Sequence, residues 1–218
     1  MSASGRLLRG RNLLHAATIA ALLASAGDIL MLLIASGDAG TRGSPAGGYV
    51  LALGGVLGVV AIPLYYPGYQ AAASLLGLSP ACRRLCTLGA ALVAIFGTIT
   101  HVLTAVDIQA ARAAGLDARP PAEAFADLAS PLFLMALVAA AGTVIAVVCF
   151  AATGFRSQPN AIKLAVLFNP IVSTVLLSAG ATVSEWTMAY IAPSAPNLAH
   201  VVFFALLARA SAFPAKRG

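Results

Sequence analysis

The sequence predicts an all-α fold, a polytopic integral membrane bundle of six transmembrane helices with both termini in the cytoplasm. Three observations lead there. Apolar residue types make up 60% of the 218 residues and charged types only 9%, against about 25% charged in a soluble domain, so a water-facing surface could not be covered. The apolar residues gather in six stretches, each near the roughly 20 residues that a spanning helix requires. Lys and Arg alternate between the two sides as the connections succeed one another. A cytosolic globular protein, a disordered chain and a disulfide scaffold are all excluded. The spans leave no room for a soluble domain, so residues 1–218 read as one transmembrane unit.

The first span, about Leu13 to Ser36, follows Arg6, Arg9 and Arg11. Basic residues, an apolar run and Ala24-Ser25-Ala26 imitate a secretory signal, but the apolar pattern continues from Ile29 through Ile34 and makes this a retained span. The second, Gly48 to Pro67, ends in Pro63-Leu64-Tyr65-Tyr66-Pro67-Gly68-Tyr69, which reads as an interfacial anchor that terminates it. The third and fourth run from Leu85 to Gln109 and from Leu128 to Thr153. The fifth, Ala161 to Ala181, carries Pro170, whose freed carbonyl calls for a partner among Asn169, Ser173 and Thr174. The sixth, Asn197 to Phe213, is the shortest, and Trp186 and Tyr190 in the connection before it fit an aromatic belt.

Orientation follows from charge. Arg6, Arg9, Arg11, Arg83, Arg84, Arg156, Lys163, Arg209, Lys216 and Arg217 fall on one side, and only Arg42, Arg112 and Arg119 on the other, with Asp38, Asp117, Glu123, Asp127 and Glu185. The basic side is the cytoplasmic one, and the location is the inner or plasma membrane. Anionic headgroups facing these residues account for the net charge of +6 and the pI near 9.7 without a nucleic-acid partner. Across the whole chain the hydropathy resembles that of small six-span bacterial inner-membrane proteins, a likeness of profile that assigns no role to any residue.

Cys82, Cys86 and Cys149 lie within or at the cytoplasmic ends of spans, where thiols stay reduced. Zinc would need two more ligands, and His15 is the only histidine at that depth. Gly54 and Gly58 form a GxxxG pair that marks a tight interhelical contact, internal by preference and only weak support for a homodimer.

Polar residues at membrane depth are the candidate site. A charge there costs about 2.5 to 3.5 kcal/mol on insertion scales unless it faces the bundle interior or water. Asp28 is fifteen residues past Leu13, about 22 Å along the helix, and His101 is sixteen past Leu85, at nearly the same level. Asn197 and His200 fall in the first turn of the sixth span and are expected at that level too. On the third span Thr100, Thr104, Asp107 and His101 share a sector of roughly 120°, a polar face that should point inward. Asn169 and Ser173 lie below them near mid-bilayer.

Two functions compete. The first is an outward-facing polar cavity that binds, senses or transports, with proton coupling, a small or lipid-like molecule, using Asp28, His101, Thr104, Asp107, Asn169, Ser173, Asn197 and His200. The second is a membrane-embedded enzyme or electron-transfer protein, with His101 and His200 as axial ligands of a b-type haem or, with Asp28, of a divalent metal. No HxxxH or HxxEH spacing supports the second, so no cofactor is predicted. A structural or assembly role needs nothing beyond the packing residues.

Overall fold

The computed structural model describes residues 3–37, 44–115, 130–154 and 160–212. Among them the chain is helical throughout, with no strand. Helix α1 spans Ala3–Ala35 and α2 Pro45–Ala61, from which a 3₁₀ turn at Ile62–Leu64 leads directly into α3, Tyr65–Leu75. Then come α4 (Pro80–Ala113), α5 (Pro131–Gly154), α6 (Asn160–Leu167), α7 (Pro170–Gly180), a 3₁₀ turn at Ala181–Val183 and α8 (Glu185–Ser211). Five segments are long and apolar enough to cross a membrane: Leu8–Ala35, Pro45–Leu75, Pro80–Ala113, Pro131–Ala152 and Glu185–Ser211. The pair α6 and α7 passes the same test jointly, as one segment bent by 59°.

Serines start four of these helices. Ser44, Ser79, Ser130 and Ser184 each accept a hydrogen bond from the backbone N–H three residues on, and Pro45, Pro80 and Pro131 follow three of them at the first helical position. Long-range hydrogen bonds then set the ends of the bundle side by side. Ser36 Oγ, after α1, lies 2.8 Å from the Tyr190 hydroxyl in the second turn of α8. Arg112, near the end of α4, donates to the backbone carbonyl of Ser44 before α2. Arg83, Arg84 and Arg209 sit at the far termini of their helices, which we call the basic end.

Helix α1 is the central element, packed on α2, α3 and α8. Leu14, Ala17, Ala21, Ala24 and Met31 recur at three- and four-residue spacing and are all 2% exposed or less. Alanine on this stripe lets neighbouring backbones approach. The outer surface carries Ile19, Val60, Leu137, Val148 and Val175 in exposed positions. So much apolar surface is matched by hydrocarbon and would be costly in water.

Several expectations on span limits are corrected. The second segment does not stop at Pro67 but continues to Leu75, and Tyr65 and Tyr69 are 1% and 0% exposed rather than interfacial. The 3₁₀ turn absorbs Pro63, and Pro67 falls in the first turn of α3, where its missing N–H has no helical partner to lose. The last helix begins at Glu185, not Asn197, and takes Trp186 and Tyr190 with it. Pro193 and Pro196 lie inside it; the Ser194 hydroxyl donates to the Tyr190 carbonyl, 2.8 Å away. Asn197 and His200 are therefore mid-helix. Helices α1 and α4 also extend beyond their expected limits, to Ala3 and to Pro80 and Ala113. The fifth segment is broken at Asn169 rather than kinked. Asp38, Arg42, Asp117, Arg119, Glu123, Asp127, Arg156, Lys216 and Arg217 lie outside the described residues.

Candidate functional site

The α1 stripe that begins with Leu14 and the alanines arrives, at the same spacing, at Asp28. Its carboxylate is held from two other helices. Oδ1 lies 3.1 Å from His101 Nδ1 on α4, and Oδ2 accepts from Asn197 Nδ2 on α8 at 2.7 Å. Asn197 Oδ1 in turn accepts from the Tyr65 hydroxyl at 2.8 Å. Four segments thus meet in one hydrogen-bonded cluster.

The other ring nitrogen of His101, Nε2, donates to the Gly54 carbonyl of α2 at 3.0 Å. A carbonyl only accepts, so Nε2 carries a hydrogen. Nδ1 faces a carboxylate oxygen, an arrangement that is attractive only with a proton between them. The pair therefore holds one proton, as imidazolium and carboxylate or as imidazole and carboxylic acid.

Glycines make room for this ring. A Cβ on Gly58 would fall on the His101 atoms Cγ, Cδ2 and Nε2, and one on Gly27 would come within 2.7 Å of the Gly54 carbonyl and 3.3 Å of Nε2. Side chains on a helix lean back over the preceding turn, so a residue at 58 with a Cβ would shield the carbonyl of Gly54. The GxxxG pair is thus an internal contact that doubles as an imidazole slot. A matching approach joins α4 to α5, where a Cβ on Gly89 would stand 2.5 Å from the Gly142 carbonyl.

His200 was expected beside Asp28 and instead belongs to an adjoining aromatic cluster. Its Nδ1 donates to the Pro196 carbonyl at 2.7 Å, so Nε2, 2.8 Å from the Tyr69 hydroxyl, accepts from it. Tyr65 stacks on the ring with centroids 4.6 Å apart, and Phe204 and Phe203 complete the packing around Tyr69. Tyr65 is the link between His200 and Asp28. Tyr65 and Tyr69 were missed as site residues, although apolar spacing continues through Ala71, Ala72 and Leu76 and signalled that the helix goes on.

A cavity of about 590 Å³ fronts the cluster. One wall is α4 and α5 and the other α7 and α8; α5 also meets α8 through Phe150 and Phe203, whose ring centroids are 5.5 Å apart. Asp28, His101, Asn197, Tyr65 and His200 reach its surface, with Thr100 and Thr104 from α4, Thr143 from α5 and Thr174 and Ser178 from α7. Alanine, valine and isoleucine supply most of the remainder. Asp28 keeps 16% of its side chain exposed, while His101 keeps 3%. Val144 and Val175 line the cavity and are 46% and 62% exposed, so it meets the outer surface along the seam between α5 and α7.

The remaining candidates divide. Thr104 lines the cavity and donates to the Thr100 carbonyl at 2.9 Å. Asp107 is exposed near the end of α4 and lies off the cavity. Asn169 and Ser173 repair the broken segment. Asn169 Oδ1 accepts from the N–H groups of Ile171 and Val172, its Nδ2 donates to the Val166 carbonyl, and Ser173 donates to the Phe168 carbonyl. Thr174 uses the Pro170 carbonyl. The haem or metal alternative does not fit the histidines as they stand, because both ring nitrogens of His101 and of His200 are hydrogen-bonded. Among the described residues no group of three His, Cys, Asp or Glu side chains has metal-binding geometry.

Fold and site together define an all-helical bundle of membrane type in which a buried imidazole pairs with a carboxylate on a cavity. The chain belongs to the family of unknown function DUF6796, which matches residues 1–212. No curated protein and no solved structure matches it.

Proposed function

We propose that the protein is a six-span inner- or plasma-membrane protein that binds a small amphiphilic molecule in the cavity between α4–α5 and α7–α8, as the binding step of proton-linked transport or of sensing. The observation that carries this reading is the position of the Asp28, His101 and Asn197 cluster on a cavity of about 590 Å³ with otherwise mainly apolar walls. Ligand pockets of about 300 to 1,000 Å³ combine apolar walls with a few convergent polar groups in this way. The exposed Val144 and Val175 support access from the lipid phase. With the basic end cytoplasmic, both termini are inside and the cavity occupies the outer half of the bilayer.

Native mass spectrometry tests the reading. Protein purified from its own membrane in a mild detergent is expected to carry one small-molecule adduct. Ala139→Phe places a ring in the cavity and should remove the adduct without lowering thermal stability. An adduct pattern identical in the two proteins, or no adduct in either, would refute it.

A further inference from the structure

We infer that the ligand is a lipophilic ammonium ion, a cation with N–H donors, and that its binding displaces the proton shared by Asp28 and His101. This rests on the reading that the cavity is a binding site, and it adds the chemical class.

The hydrogen-bond inventory of the walls leads to it. Thr100 donates to the Phe96 carbonyl at 2.8 Å, Thr104 to that of Thr100 at 2.9 Å, Thr143 to that of Ala139 at 3.1 Å and Thr174 to that of Pro170 at 2.6 Å. Each threonine proton is engaged within its own helix, so the hydroxyl oxygens offer the cavity only lone pairs. The Tyr65 proton goes to Asn197, and His200 Nδ1–H to the Pro196 carbonyl. The Asp28 oxygens each receive one neighbour and keep further acceptor capacity. The donors left are the second N–H of Asn197 and the Ser178 hydroxyl. A carboxylate, phosphate or sulfate would meet acceptors on nearly every side. A ligand rich in N–H donors would meet partners.

Charge selects among donors. Among the described residues, Asp28 is the only acidic side chain lining the cavity, and no Lys or Arg lines it. The groups that face the Asp28 and His101 pair are the Gly54 carbonyl from α2, Tyr65 from α3 and Asn197 from α8; Asp107 is exposed and remote. With its one proton the pair is neutral overall. An ammonium ion donating to Asp28 beside an imidazolium would put two positive charges together at low dielectric, where repulsion is strong. The balanced step is an exchange. The ligand N–H bonds to a carboxylate oxygen, the N–H bond at His101 Nδ1 breaks, its electron pair stays on the ring, and the proton leaves to water. One positive charge enters and one departs. His101 keeps its Nε2–H on Gly54, and the bared Nδ1 becomes a second acceptor for the ligand.

Full-length protein in lipid nanodiscs can be titrated calorimetrically with phenethylammonium, phenethyl-trimethylammonium, phenethyl alcohol and phenylpropionate, in two buffers of different ionisation heat. Phenethylammonium is expected to bind with release of about one proton and to tighten about tenfold per pH unit where the pair holds its proton. The trimethyl analogue, which has no N–H, should bind at least about tenfold more weakly, and the alcohol should release no proton. Asp28→Asn should abolish ammonium binding. Should that variant fail to fold, Thr104→Val removes one acceptor at constant size and should weaken ammonium binding several-fold. Ammonium binding without proton release, or preference for phenylpropionate or the trimethyl analogue, would overturn the inference and leave the cavity a binding site. No binding of any probe overturns it too, and absence of a native adduct as well would remove the site itself.

Discussion

Gly58→Ala tests whether the glycine slot holds the histidine in place. The added methyl falls on three ring atoms of His101, so either the ring leaves or the helices part. If the ring leaves, the contacts to Asp28 and to the Gly54 carbonyl are lost together. Interhelical hydrogen bonds in membranes average about 0.6 kcal/mol, with a maximum near 1.7, which puts this route at about 1 to 3 kcal/mol. If the helices part, overpacking costs about 1 to 3 kcal/mol as well. Either way the expected loss is about 2 kcal/mol. Gly55→Ala, one residue along, is the internal control, because its Cβ would stand 3.3 Å from the Ala105 Cβ and needs only a small adjustment. Its cost should stay below about 0.5 kcal/mol. Thermal and denaturant unfolding in the same detergent measure the difference, and in a His101→Ala background, where the ring and its two hydrogen bonds are already gone, Gly58→Ala should add little further loss. Equal stability of Gly58→Ala and Gly55→Ala would show that the imidazole does not occupy that slot.

Other substitutions probe neighbouring parts of the same argument. Tyr69→Phe deprives buried His200 Nε2 of its donor and should cost about 1 to 2 kcal/mol in unfolding, whereas Tyr66→Phe, off the network, should be close to neutral. Asn169→Ala removes two N-cap acceptances and one donation at the broken segment and should destabilise by about 1 to 2 kcal/mol, with Asn169→Asp retaining the acceptor part; unfolding midpoints decide it. For orientation, in a background with the three cysteines replaced, an impermeant thiol reagent on intact cells should label Glu185→Cys and leave Arg83→Cys untouched. The reverse pattern would invert the topology.

Much of this molecule is legible in composition and period alone. The scarcity of charge dictates burial in hydrocarbon. The three- and four-residue spacing on α1 carries from Leu14 through the alanines to Asp28, so the inward aim of that carboxylate could be read before any neighbour was known. The polar face of α4 likewise turned His101 and Thr104 inward, while Asp107, near the end of the helix, escaped to the surface. Helical rise and angle define depth and direction within one helix, and those are local properties. Which helices touch is another matter, decided by how whole surfaces interlock, and many pairings share the same local pattern. Equal depth set Asn197 and His200 alike at the level of Asp28 and His101; packing joined Asn197 to the carboxylate and gave His200, three residues later, to Tyr69. The same holds for the prolines. Pro67 and Pro193 look like terminators in isolation, yet Pro67 falls in a fresh first turn and Pro193 within a helix held by its neighbours, which only the assembled bundle provides. The slot for His101 depends most on tertiary structure, because a glycine records where a side chain is missing and only the opposing helix shows what fills the space.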